Sequence, residues 1–240
     1  MKEQFQRSAL LIGGKAIDIL SSSHVAIFGL GGVGGSAALA LARAGVAHFG
    51  LIDDDVFSLS NLNRQSLSSL NEVGRAKVDV AEERLKAINE DITVIKHRLF
   101  YLPDNHGGID FSSFDYVVDA IDTVSAKLEI AKEAKKAGVP LISALGCGNR
   151  LDPTKIKIGD IFETSGDPLA RILRRELRKN GINELKVVYS TEIPLKPTSP
   201  LGEVLPPGKK SVPGSSPFVP PAAGLALAYE VCHELTHKGK

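Results

Sequence analysis

The chain has 240 residues, with 29 Lys and Arg against 28 Asp and Glu and 43% hydrophobic residues. These values exclude a histone-like polycation and an acidic disordered tail, and they fit one α/β domain with additions or two small ones. Two cysteines, Cys147 and Cys232, cannot build a disulfide framework or an all-cysteine zinc site.

Residues 1–23 read as an N-terminal helical segment. Their start, MKEQFQRSALLIGG, lacks the continuous apolar core of a secretion signal. From residue 24 apolar strands alternate with amphipathic helices. The expected elements are strand His24–Phe28, helix Val33–Ala44, strand Ala47–Ile52, helix Arg75–Ile88 and strand Ile92–Ile95. Strand Asp115–Ala120, helix 124–137 and strand Val139–Ala144 follow, with Gly138 stopping the helix. Repeated β-α-β units give a Rossmann-like, doubly wound, mostly parallel sheet. After residue 150 the pattern becomes a mixed α/β extension: strands at 155–161 and 185–190, and a helix at 167–180. Positions 194–221 hold nine of the 13 prolines and read as a connector. A helix over about 221–237 closes the chain. The expected division is 1–23, a nucleotide-binding domain 24–150 and an extension 151–240. No apolar run reaches the roughly 20 residues of a membrane helix, so a cytoplasmic protein without membrane insertion is expected.

The strongest chemical signal follows the first strand. Gly29-Leu30-Gly31-Gly32-Val33-Gly34 opens a helix, where free N–H groups and the helix dipole favour a phosphate. Asp53 ends the next strand, where a carboxylate meets ribose hydroxyls. Gly29, Gly31 and Gly34 also fit the dinucleotide fingerprint, so an NAD-dependent oxidoreductase competes with an ATP enzyme. The cations that follow favour ATP. Arg64 in NLNRQ and Lys77 in GRAK can return to a triphosphate, and Asp122 beyond strand 115–120 can hold magnesium beside it.

GLGGVG, LIDDD, NLNRQ, GRAK and DAID together resemble the superfamily of ubiquitin-activating enzymes, including the bacterial ThiF and MoeB adenylyltransferases. The resemblance implies that ATP adenylates a carboxylate and pyrophosphate leaves. It assigns Gly31 and Gly34 to the phosphate loop, Asp53 to ribose, Asn61, Arg64 and Lys77 to the triphosphate, and Asp122 to magnesium. Arg7 matches an arginine that reaches an ATP site, often that of a partner subunit, and a homodimer is implied. NRLDPTKIKIGDI, DPLARILRRELRKNGI, LKVVYSTE and PGSSPFVPPAAGLALA resemble the tRNA threonylcarbamoyladenosine dehydratase branch. That branch activates the threonyl carboxylate on a tRNA adenosine, and ring closure expels AMP. A sulfur-relay protein is a further partner implied by the resemblance. The two Cys-x-x-Cys zinc pairs of ThiF and MoeB are missing here, so no zinc is expected. An adenylyltransferase acting on a ubiquitin-like or sulfur-carrier protein, and a non-catalytic nucleotide-binding partner protein, remain as alternatives.

Three further features bear on function. Helix 167–180 places Arg171, Arg174, Arg175 and Arg178 on one face, opposite Leu169, Ile172, Leu173 and Leu177. With Lys179, Lys186, Lys209 and Lys210 these arginines are candidate tRNA contacts, and reversing Arg174 and Arg175 to Glu is expected to weaken tRNA binding. Cys147, after strand 139–144, reads as a small buried cysteine rather than a catalytic thiol. His233-Glu234-Leu235-Thr236-His237 spells the H-E-x-x-H of zinc proteases. With no third ligand following it in this chain, no metal is expected there.

Overall fold

The protein is described by a computed structural model covering residues 2–197 and 213–237. Lys209 and Lys210 lie outside the described residues. Strands β1 (His24–Phe28), β2 (His48–Ile52), β3 (Thr93–His97), β4 (Tyr116–Asp119) and β5 (Leu141–Ala144) pair in parallel. Two later strands join the same sheet: β7 (Lys186–Ser190) parallel to β5, and β6 (Ile156–Asp160) antiparallel at the edge. The order is β3-β2-β1-β4-β5-β7-β6. Successive strands are added to one side of β1 and then, from β4, to the other, so a topological switch point lies between β1 and β4, where ligands enter such sheets at the strand carboxyl ends.

The sheet is covered on both faces, as its near-continuous apolar strands require. In β1, Val25 and Ile27 join a core with α3 (Gly32–Ala44), α4 (Lys77–Ile88) and α7 (Val219–His237). Ala26 and Phe28 face the other way, against Ala126 and Ile130 of α5 (Val124–Ala137). The α6 helix (Pro168–Lys179) packs Leu173 and Leu177 beside Ala131 of α5. Helices α3 and α7 lie unusually close. A Cβ on Gly224 of α7 would sit 2.4 Å from the Val33 carbonyl oxygen, so only glycine allows this approach.

The alternation of apolar strands and amphipathic helices gives the elements correctly, and the boundaries move for local reasons. Helix α4 starts at Lys77 rather than Arg75 because Gly74 has φ +86° and Ala76 is extended. Strand β5 starts after Pro140, which has no N–H to give a ladder. Helix α7 starts at Val219, with Pro220 and Pro221 in its first turn, where no intrahelical N–H bond is needed. Asp167 caps α6, accepting the Ala170 N–H at 3.0 Å. Among the described residues no helix is long and apolar enough to cross a membrane. Ahead of β1, α1 (Gln6–Ile12) and α2 (Gly14–Ser22) form the helical N-terminal segment.

Candidate active site

The glycine loop sits at the switch point. Gly29 has φ +89°, and a Cβ there would lie 2.8 Å from the Ala120 carbonyl oxygen, so β1 and the end of β4 meet only through glycine. A Cβ on Gly34 would lie 1.8 Å from the Gly29 oxygen. Gly31 differs: the atom nearest to such a Cβ is Gln65 Nε2, at 3.9 Å. Open space therefore lies over Gly31, at the N-terminus of α3, whose first turn has no side-chain cap. Free N–H groups around an open cradle suit a phosphate.

Asp53 follows β2 and is held from two sides. Its Oδ2 accepts the Leu30 N–H at 2.6 Å, and its Oδ1 accepts the Asp55 N–H at 2.9 Å. Burial pushes its carboxyl pKa up, against the pull of the Lys77 ammonium and these N–H donors. Lys77 Nζ stands 2.7 Å from Asp55 and 3.9 Å from Asp53. The structure thus joins the ribose candidate to one triphosphate candidate through a nearly buried lysine.

Asn61 and Arg64 come from the loop between β2 and α4. Asn61 Oδ1 accepts the Ser58 N–H at 3.2 Å and closes a short 3-10 turn. Arg64 crosses the start of α3, where a Cβ on Gly32 would meet its carbonyl oxygen at 3.0 Å. Its Nη1 donates to Ser60 O and Asn63 Oδ1, both at 2.9 Å. Asp122 is exposed just beyond β4, with Thr123 Oγ1 at 3.5 Å. Arg7 is exposed on α1 and makes no ion pair among the described residues, so this chain does not bring it into the cluster.

Two residues escape the sequence reading. Gln65, only 6% exposed, lies beside the Gly31 cradle with its Oε1 unpartnered. A buried amide oxygen without a partner is costly unless a ligand or water completes it. Lys127 of α5 is wholly buried, and its Nζ donates to Asp119 Oδ2 at 3.0 Å, Ser143 Oγ at 3.1 Å and Ala144 O at 2.7 Å. Asp119 Oδ1 in turn accepts the Ile121 N–H at 3.2 Å, beside Asp122. Its helical spacing with Ile130, Ala131 and Ala134, on the apolar face of α5, is the signal that could have found it.

The arginine face of α6 is not uniform. Arg171, Arg175 and Arg178 are exposed, Arg178 lying over the Phe162 ring. Arg174 instead turns into the fold, where its Nη1 donates to Ile161 O, Thr164 O and Thr164 Oγ1. Reversing Arg174 would break those bonds, so it is unsuited to a test of RNA contact. Ile172, placed by spacing on the packed face, is 45% exposed, and Ala170 is buried there instead. Cys147 is buried, which pushes its thiol up to about 11 and leaves little thiolate at neutral pH. In the H-E-x-x-H segment, Glu234 accepts from Tyr116 Oη at 2.5 Å and from Lys186 Nζ. It is therefore engaged by the sheet rather than free to activate water. Among the described residues, the trio of carboxylates Asp53, Asp54 and Asp55 is the one group of three potential ligands within 4.8 Å.

Comparison with known proteins concerns the chain as a whole. Residues 5–175 match the ThiF family. The tRNA threonylcarbamoyladenosine dehydratase of Bacillus subtilis (strain 168) is 38% identical over 242 residues, covering 98% of this chain and 95% of that protein. A crystal structure of the E. coli tRNA N6-threonylcarbamoyladenosine dehydratase, TcdA, with AMP superposes with a TM-score of 0.88 at 31% identity, covering 98% and 95% of the two chains. The same enzyme with ATP gives a TM-score of 0.85 at 31% identity, with the same coverage. The adenylyltransferase and sulfurtransferase uba4 of Aspergillus terreus is 42% identical, but over 52% of this chain and 26% of its own length. With its glycine loop at the switch point and a match reaching from Phe5 to Arg175, the chain belongs to the ThiF family.

Proposed function

We propose that this chain dehydrates N6-threonylcarbamoyladenosine in tRNA at the expense of ATP. The observation that carries this reading is the likeness to the dehydratases over 98% of the chain, including the extension beyond residue 150. The likeness to the adenylyltransferase and sulfurtransferase uba4 covers about half of the chain. The cradle fits a nucleotide triphosphate on the chain's own evidence: open space over Gly31, an uncapped helix start, and a buried Gln65 with an orphan oxygen.

A free carboxylate is a poor electrophile, and the chemistry runs in two balanced steps. A threonyl carboxylate oxygen attacks the α-phosphorus, forming an acyl adenylate and releasing pyrophosphate. The neighbouring carbamoyl group then attacks the acyl carbon, loses a proton and expels AMP. The oxygen formally lost as water leaves on AMP. Arg64 binds phosphate oxygens with its planar fork, Lys77 supplies a point charge, and Asp53 takes the ribose hydroxyls. Asp122 would hold magnesium, which when bound would supply positive charge to the leaving phosphates. Ring closure is intramolecular and draws its acceleration from proximity, so Cys147 has no part in it. Under this reading residues 24–150 carry the nucleotide, and the extension presents the RNA surface. Its two cysteines give the chain no set of ligands for a four-cysteine zinc site. Incubation with ATP and threonylcarbamoylated tRNA, followed by nucleoside mass spectrometry, tests the reading. Loss of one water with AMP release is expected. No loss of water defeats it, while pyrophosphate exchange driven by a protein ending in Gly-Gly would favour the sulfur-carrier alternative. Selective binding of NAD over ATP would favour an oxidoreductase.

Of the four arginines, Arg171, Arg175 and Arg178 are exposed, and Arg175 would exchange its Glu176 partner at 2.9 Å for a tRNA phosphate. Arg171→Glu with Arg175→Glu is expected to weaken tRNA binding and to shallow its salt dependence by roughly one unit of slope per lost phosphate contact. ATP affinity stays unchanged. A tRNA affinity equal to wild type removes α6 from the RNA surface.

A homodimer completes the picture. Helix α1 exposes Leu10 at 86% and Leu11 at 88%, beside Arg7. A contiguous apolar surface of this kind suits a second copy, with Arg7 reaching that copy's phosphates. Leu10→Lys with Leu11→Lys is expected to yield monomers by light scattering. Dimers of unchanged mass would place the interface elsewhere. A sulfur-relay protein would be an additional partner, and its capture by the purified chain is the check.

A further inference from the structure

Asn149 is the single non-glycine residue with positive φ among the described residues, at +60°. Side chains adopt that conformation at a cost, which asparagine bears better than most. It lies in the turn beyond β5, and three of its groups hold two distant pieces of chain. Its carbonyl accepts the Leu195 N–H at 2.7 Å. Its own N–H donates to the Gly214 carbonyl at 2.7 Å, and its Oδ1 accepts the Gly214 N–H at 2.6 Å. Gly148 allows this approach, since a Cβ there would lie 3.0 Å from Pro213 Cβ.

The bonding continues toward the nucleotide. Next to Gly214, the Ser215 carbonyl accepts from Asn63 Nδ2 at 2.9 Å. Asn63 Oδ1 accepts from Arg64 Nη1 at 2.9 Å. Ser216 then accepts the Val219 N–H at 3.3 Å and caps α7, whose Pro220 touches Gly32 of the cradle. Short hydrogen bonds joined through the Gly214-Ser215 backbone thus lead from the turn after β5 to the guanidinium of Arg64, whose carbonyl and Cγ lie against Gly32 of the loop.

We propose that Asn149 is a positioning residue for adenylation: through Gly214, Ser215 and Asn63 it fixes the Arg64 guanidinium where the triphosphate binds. The proposal rests on the reading of Arg64 as a triphosphate ligand. The left-handed backbone is what lets one residue direct its N–H and its side-chain oxygen at the same peptide, forming a two-point clasp. A clasp that only closed the connector would need no partner in the NLNRQ loop. The Asn63 bridge supplies that partner.

The test is ATP affinity by titration calorimetry on the full chain without tRNA, with melting temperature read alongside. Asn149→Gly keeps the left-handed backbone and both main-chain bonds but loses the side-chain acceptor. It is expected to weaken ATP binding about threefold. Asn149→Ala adds backbone strain and is expected to weaken it about tenfold. Asn63→Ala cuts the same path, so the Asn63→Ala/Asn149→Ala double variant should be no weaker than about twofold below the worse single variant. Effects that multiply overturn the proposal, as does a lowered melting temperature with unchanged ATP affinity. Because no tRNA is present, a chain that binds ATP with the expected coupling yet leaves the modified nucleoside intact refutes the substrate reading alone.

Discussion

Replacing Gly34 by alanine is expected to abolish useful ATP binding and to lower the melting temperature. The added methyl would lie 1.8 Å from the Gly29 carbonyl oxygen and 3.1 Å from Ala120 Cβ. The first obstacle is backbone, so no rotamer change relieves it and the loop itself must move. Overpacking of this kind costs about 1–3 kcal/mol, or roughly 2–12 °C in melting temperature for a chain of this size. Displacing the loop by about 1 Å misplaces every N–H donor in the cradle, which costs on the order of a hundredfold in function. Gly31→Ala is the informative contrast. Its backbone is ordinary and the space around it is open, so the variant should melt with wild type. Its methyl would stand in the space proposed for the phosphates, and ATP binding should then fall by about tenfold or more. Wild-type ATP affinity in Gly31→Ala would remove that glycine from the nucleotide site.

Lys127→Met is expected to destabilise the fold severely without touching any surface. The change removes the cation from a wholly buried pair and leaves Asp119 charged and nearly sealed from water. Breaking one side of such a pair costs about 3–5 kcal/mol, a large share of the roughly 5–15 kcal/mol that holds a domain folded. The melting temperature should fall by roughly 6–20 °C. Pairing it with Asp119→Asn removes the stranded charge and should recover part of the loss. The Ser143 hydroxyl, which donates to Asp119 at 2.6 Å, then still has a partner. Thermal scans of the single and double variants decide the matter. A single variant melting with wild type, or a double variant melting below the single variant, would show that the buried charge is not what the lysine neutralises.

The residues that were legible in the sequence are those whose roles are local. The spacing of Gly29 and Gly34 marks a tight turn between β1 and α3, and the place of Asp53 after the second strand puts it beside that turn, where it accepts the Leu30 N–H. Lys77 pairs with the carboxylates of Asp53 and Asp55, and Arg64 with its own loop, partners that spacing alone does not give. The illegible residues act across long separations. The turn of Arg174 into the carbonyls of Ile161 and Thr164 depends on where a short 3-10 segment lies against α6, which helical spacing does not encode. Ile172 looks packed by periodicity yet faces out, because the apolar stripe of α6 is carried by Ala170, Leu173 and Leu177. Nothing in the sequence singles out Asn149 within NRLDPTKIKIGDI, and only the fold shows which peptides it grasps. The H-E-x-x-H segment gives the opposite lesson. Its spelling suggests metal chemistry, while Tyr116 and Lys186 from the sheet take up its glutamate.

The close seating of α7 on α3 has a bearing on how this enzyme comes into being. A ribosome delivers the amino end first, so the glycine loop emerges long before Gly224 and Pro220 exist to lie against it. Until then the helix that bears the cradle lacks the apolar partner covering its outer face, and Ser216 has no helix to cap. Contacts between segments so far apart in sequence form late and slowly. Nucleotide-holding ability should therefore arrive in one step near the close of synthesis. Nascent chains and prematurely terminated fragments, though they carry every phosphate-loop residue, would consume no ATP.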